Sequence, residues 1–165
     1  KEHIDAIKKH YDLVLIDCPP ALGRSVAAAA LASDYIAAPV TPDTQCLTGL
    51  DLLSGGLKSL KKKYSRLVPL KIIMNKFDGR TLLSRDILTA LMEHEIYRKG
   101  LLNTYVRQNQ DFANHCAATI SIFDSIKPST AKEDIDFLTQ EILGIVPKAE
   151  QNQEKNVSFV SIATT

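Results

Sequence analysis

The chain has 165 residues, 45% hydrophobic and 24% charged, the balance of one soluble globular domain rather than a collagen, a coiled coil or a disordered polymer. Lys and Arg number 20 against 19 Asp and Glu, so the net charge is +1; this excludes a domain that is basic throughout but not a local basic patch. No apolar run reaches the ~18–20 residues of a membrane-spanning helix, and no signal-peptide pattern opens the chain. Residues 3–10 (HIDAIKKH) place Ile4 and Ile7 at helical spacing and read as the end of a helix. The run Asp12–Asp17 (DLVLID) is nearly continuous in apolar residues, the pattern of a strand buried on both faces of a parallel sheet, and Pro19-Pro20 stop it. The Ala-rich stretch 23–33 predicts a helix, and Tyr35–Val40 (YIAAPV) a second strand. Thr41-Pro42-Asp43 reads as a turn and cap ahead of a long helix to about Tyr64, which Gly55-Gly56 should weaken or split.

Pro69–Met74 (PLKIIM) predicts a third strand, Asn75–Arg80 (NKFDGR) a loop, and Thr81–Glu95 an amphipathic helix with Leu83, Ile87, Leu88, Leu91 and Met92 on one face. A fourth strand is expected over Leu101–Val106, a short helix over Asp111–Ala118 and an extended segment over Ser121–Asp124. Ser129 is the expected cap of a last helix through Leu143, with Ile135, Leu138 and Ile142 toward the core. Strands alternate with helices, which predicts an α/β fold: a mostly parallel sheet with right-handed crossovers and helices on both faces. Residues 1–146 are expected to form the domain and 147–165 a flexible tail. In that tail KAEQNQEKN is polar, and VSFVSIATT either pairs at a sheet edge or stays loose.

Ligands of open parallel sheets sit outside the carboxyl ends of the strands. Asp17 stands at such an end, after four apolar residues, where a Walker B carboxylate holds Mg²⁺ beside a nucleotide's phosphates. The same pattern also suits an aspartate that merely caps the following turn. Cys18, Cys46 and Cys116 form no CxxC pair and read as reduced, buried side chains of a cytoplasmic protein, not as zinc ligands or a disulfide framework. His3, His10, His94 and His115 lack ligand spacing, and Ser25 and Ser54 lie in no G-x-S-x-G elbow. Lys58, Lys61, Lys62, Lys63 and Arg66 cluster at a predicted helix end, either as a solvated face favoured by the helix dipole or as a basic contact surface.

The neighbours of Asp17 narrow the choice. Tyr11–Gly23 (YDLVLIDCPPALG) resembles the Walker B region of the ParA/Soj family of deviant-Walker ATPases, which partition plasmids and chromosomes. Residues 38–53 (APVTPDTQCLTGLDLL) are similar to the family's strand, Pro-x-Pro turn and following helix. Asn75–Ser84 resembles its D-x-R-T-x-L loop, Tyr105–Asn109 (YVRQN) its I-P-R-N segment with Val106 in the proline's place, and Ser121–Asp124 the stretch before its last helix. These matches run in order from about residue 5 to 145. Two departures stand out: Phe112–Ile120 (FANHCAATI) replaces the family's Glu-Ala and Gly-Lys positions, and no K-G-G-x-x-K-[ST] loop occurs in the 165 residues. The resemblance therefore implies the carboxyl-terminal half of such an ATPase, with a P-loop NTPase-like fold incomplete at its amino-terminal side.

It further implies that the complete protein uses ATP and Mg²⁺, forms an ATP-dependent homodimer, binds DNA without sequence preference and answers to a centromere-binding partner protein. On that reading Asp17 serves Mg²⁺, Asn75 lies by the adenine base, and Arg80 and Arg107 match arginines that touch DNA phosphates. The location implied is cytoplasmic and nucleoid-associated, with no membrane. This chain alone is expected to be inactive, because backbone N–H groups and the lysine of a P-loop supply most of the phosphate binding.

Other readings remain. Asn75-Lys76-Phe77-Asp78 reads NKxD, as in a small GTPase, yet residue 20 is Pro where D-x-x-G needs Gly, and 103–105 are Asn-Thr-Tyr where S-A-K is expected. A receiver domain with Asp17 as phosphoacceptor needs an acidic pair on an earlier strand. A non-enzymatic DNA-binding or adaptor relic would keep the half-fold without turnover. A MinD-like membrane ATPase would need a basic amphipathic helix at its carboxyl end, which SFVSIATT does not provide.

Overall fold

A computed structural model describes residues 2–19, 23–145 and 157–162. Ten elements follow in chain order: α1 (Glu2–Ile7), β1 (Leu13–Cys18), α2 (Arg24–Ala32), β2 (Tyr35–Val40), α3 (Cys46–Tyr64), β3 (Leu70–Met74), α4 (Leu82–Glu93), α5 (Gln110–Ala117), α6 (Thr130–Ile145) and β4 (Val157–Ile162). All four strands are parallel and lie in the order β1-β4-β2-β3. Apolar side chains cover both faces of β2 and β3, as their near-continuous apolar runs predict. On one face Ile36, Ala38, Val40, Ile72, Met74 and Val160 pack against Val26 and Ala30 of α2, Leu50 and Leu53 of α3, and Leu91 of α4. On the other, Ala37, Ile73 and Leu102 meet Leu138 and Ile142 of α6. The fold is α/β, a parallel sheet between two layers of helices.

Four segments differ from the sequence expectation, each for a physical reason. Residues 157–162, expected at an edge or loose, form β4 between β1 and β2, with Asp17 in register with Ser161 and Ala37 with Ser161 on the other side. The rest of the expected tail lies outside the described residues. Leu101–Val106 flanks β3 without becoming a strand. It touches the sheet through two isolated bridges, Ile72 to Leu101 and Phe77 to Arg107. Between them, Glu141 of α6 takes the amides of Asn103 and Thr104, each at 2.8 Å, and so diverts N–H groups from a ladder. Ser121–Asp124 is a 3-10 turn rather than extended, closed by a capping box in which Ser121 and Asp124 satisfy each other's backbone N–H.

Gly55-Gly56 do not break α3, which runs unbroken from Cys46 to Tyr64. The cost of about 1 kcal/mol per glycine is offset by burial of Leu50 and Leu53 against the sheet. Gly56 lines, with Ala27, Ala30 and Leu57, the seam between α3 and α2. Ser129 caps α6 as read, accepting from Ala131 N–H, and Thr81 caps α4, accepting from Ser84 N–H. Asn109 caps α5, accepting from Asp111 N–H at 2.8 Å. The cysteines split: Cys46 is buried, Cys18 half-buried and Cys116 exposed, so the expectation of burial fails for Cys116. Burial, with Asp43 nearby, pushes the Cys46 thiol up to about 11.

Candidate functional site

The carboxyl ends of the strands form one rim. β1 delivers Asp17 there, β2 leads into the turn Thr41–Asp43, and β3 leads into Asn75–Arg80. Three strand spacings, about 14 Å, separate β1 from β3, and Asp17 is level with Ala37 and Lys71, four residues before Asn75. Asp17 is exposed, and its carboxylate has no hydrogen bond or ion pair among the described residues. It lies on the α6 face of the sheet, opposite the face of its neighbour Ile16, because strand side chains alternate. The Cys18 thiol is raised by burial and, secondarily, by the Asp17 charge.

The loop after β3 turns sharply because Lys76 adopts a left-handed backbone, φ 54°. The Asn75 side chain supports that turn by accepting from Lys76 N–H at 3.0 Å, which leaves its amide N–H₂ to bond elsewhere. Phe77 N–H donates to Val106 O and Gln108 N–H to Phe77 O, so the loop is stitched to the segment that carries Arg107. Arg80 and Arg107, far apart in sequence, are thus brought to one corner of the rim.

Neither arginine is a bare cation. Arg80 grips Asp78 through Nε at 2.9 Å and Nη2 at 2.8 Å, while its own N–H donates to Asp78 Oδ1 at 3.0 Å. Those side-chain bonds hold the Asp78 carboxyl down to about 2. The guanidinium still projects into solvent, with the side chain 90% exposed. Both Asp78 oxygens are occupied, which removes the free carboxylate that an NKxD guanine reader requires. Arg107 sits deeper. Its N–H, Nε and Nη2 all reach Asp134, Nη2 at 2.6 Å, and the Asp134 side chain is only 6% exposed. Hydrogen bonding to Asp134 raises the Arg107 pKa further.

The chain as a whole is similar in sequence to known proteins. A family model described as "AAA domain" matches residues 1–70. The sporulation initiation inhibitor protein Soj of Bacillus subtilis is 27% identical over 110 residues, 66% of this chain and 43% of that protein. A ParA family protein of Chlamydia pneumoniae is 26% identical over 140 residues, 85% of this chain and 54% of that protein. The chromosome-partitioning ATPase Soj of Thermus thermophilus is 34% identical over 85 residues, 51% of this chain and 34% of that protein. These matches support a kinship with the ParA/Soj family. It spans about half the length of the relatives it matches.

In this ParA-like chain the residues that sequence reasoning missed are the acidic partners. Asp78 was legible in principle: Asp-Gly-Arg at a turn is a short-range pair. Asp134 and Glu141 were not, since each meets its partner only through the docking of α6. Burial opposes ionisation of Glu141, but hydrogen bonds from Thr104 and Asn103 outweigh it and lower its pKa.

Proposed function

We propose that the complete protein is a partitioning ATPase of the ParA type, which binds MgATP on the strand-end rim, dimerises with it and then binds duplex DNA without sequence preference. What supports the reading most is one arrangement: an unpaired Asp17 at the carboxyl end of β1, on the rim where the Asn75–Arg80 loop and Arg107 converge. The donor chemistry fits magnesium. Mg²⁺ takes one or two carboxylates plus phosphate oxygens rather than a dedicated cage of side chains. Asp17 offers one accessible carboxylate, and among the described residues no group of three His, Cys, Asp or Glu competes for the ion. Bound Mg²⁺ would neutralise charge on the phosphates during transfer. Asp17 would hold it, through water, and Asn75 would offer its amide to the adenine. The phosphates need donors that these 165 residues do not contain, since no Gly-rich loop is among them.

DNA contact falls to Arg80 and Arg107, whose planar forks suit phosphate. A dimer would double these contacts on one face, and a centromere-binding protein would stimulate turnover. The protein would act in the cytoplasm, on the nucleoid, and without a membrane.

The test is steady-state turnover of the complete protein. Asp17→Ala should lower MgATP hydrolysis by about two orders of magnitude with an unchanged circular dichroism spectrum, and GTP should not replace ATP. Full turnover in that variant, or a preference for GTP, would overturn the reading. The 165-residue chain by itself should show no hydrolysis above background.

A further inference from the structure

The opposite rim, at the amino ends of the strands, has its own charge. α1, α2 and α3 all end there. Asp34, at the turn into β2, gathers two of these ends: Lys8 Nζ lies 2.5 Å from its Oδ2 and Arg66 Nη2 3.7 Å from its Oδ1, while Arg66 also donates to Ser33 O at 2.7 Å. Lys71, near the start of β3, lies with Nζ 5.9 Å from the Tyr35 ring centroid. Around this clip stand Lys9, Lys61, Lys62 and Lys63, all exposed and without a carboxylate partner among the described residues. With Lys8, Arg66 and Lys71 these make seven cations around Asp34, on a chain whose total is +1.

We propose that this amino-end rim is a second contact surface for the phosphate backbone of duplex DNA, separate from the arginine corner and independent of it. The helix dipoles favour cations in a last helical turn, but Lys9, Arg66 and Lys71 lie outside any helix. They extend the patch along the sheet edge, as a run of phosphates does. Lysine serves there as a point charge, with no base-reading geometry. A lipid surface fits less well. Membrane-surface helices need a broad apolar stripe beside their cations. Here α3 carries Lys58, Ser59 and Lys62 outward; of the exposed apolar residues near its end, Tyr64 closes the helix, Leu67 lies in the loop after it and Tyr11 precedes β1, so these three make no helical stripe. With two phosphate surfaces at opposite ends of one sheet, a single protein can hold two duplexes.

The experiment uses the complete protein and fluorescence anisotropy with two unrelated 30-base-pair duplexes between 50 and 200 mM NaCl. Lys61→Gln/Lys62→Gln/Lys63→Gln should weaken both duplexes equally, by about tenfold or more, and flatten the salt slope by about two to three units. The triple Lys→Arg variant should restore binding. Arg80→Ala should leave this lysine-dependent increment in place, so failure of the arginine assignment and failure of this one are distinguishable. The wild type should also retain a labelled duplex on beads that carry another, and the Gln variant should not. Unchanged affinity and salt slope in the Gln variant would overturn the proposal in favour of a merely solvated helix end. Loss of binding to phosphatidylserine vesicles with DNA binding intact would overturn it in favour of a membrane surface.

Discussion

Asp78 and Arg80 hold each other across two positions, and the pair sets how much of the arginine a phosphate can reach. Asp78→Asn would remove the competing charge and leave the loop's size unchanged. If Arg80 contacts DNA, that substitution should tighten binding of the complete protein severalfold at low salt. Anisotropy measures this, and unchanged affinity would remove Arg80 from the contact. The pair also predicts a titration. The folded Asp78 pKa is depressed to about 2, so its contribution is present above the ordinary carboxylate range and is lost as pH falls toward 2. Carboxyl carbon NMR should place the Asp78 midpoint near 2 in the wild type and near the model-peptide value in Arg80→Ala. Arg107 behaves differently because Asp134 is buried. Asp134→Ala removes the guanidinium's main partner, and its cost should be about 2–4 kcal/mol by urea melts, below the full buried-pair value because Arg107 is half-exposed. DNA experiments with Arg107→Ala must therefore be paired with a stability measurement.

At the scale of elements, α6 does more than cover one face of the sheet. Glu141 supplies three hydrogen bonds to Asn103 and Thr104, two of them to backbone N–H. Glu141→Ala should cost about 1–3 kcal/mol and loosen the segment between the two isolated bridges, seen as faster amide exchange at Asn103 and Thr104. Its depressed carboxyl makes that support present above the unfolded Glu range and lost as pH falls below it. The contrast among elements explains what could be read beforehand. β1, β2 and β3 announce themselves as apolar runs, and α3, α4 and α6 as periodic ones, since burial selects directly for those patterns. The 101–106 segment has strand composition too, but its pairing is decided by a glutamate nearly forty residues away. Gly55-Gly56 misleads for the same reason: local propensity is outweighed by packing against α2. The candidate positions Asp17, Arg80 and Arg107 were named from ordered motifs; of the arginines' partners, Asp78 lies two residues from Arg80, whereas Asp134 meets Arg107 only through the docking of α6.

At the scale of the whole molecule, β1 is an edge strand among the described residues. Its Leu13-Leu15-Asp17 face lies on the α6 side of the sheet, yet α6 covers β2 and β3 instead, and Leu15 is 70% exposed. An unpaired edge beside an apolar face invites pairing with another chain. The 165-residue chain should therefore self-associate in sedimentation at high concentration, and Leu15→Lys should shift it toward monomer. A clean wild-type monomer would mean that this face is protected.

Among the described residues β4 is the strand that joins β1 to the rest of the sheet. Asp17 and its register partner Ser161 are 144 positions apart, so β1 must wait until β4 is made before its amides find this ladder. β2 and β3, close in sequence and directly paired, carry no such delay. Closure of a loop that long comes late, because its entropy is spent before any pairing rewards it. Refolding should then proceed in two stages. Pulse-labelled hydrogen exchange should find Ile72 and Met74 protected first, and Val14 and Ile16 only once β4 has slotted between the two halves. Until then the nascent chain carries an open seam through the middle of its sheet, and that interval is when it most needs shielding from its neighbours.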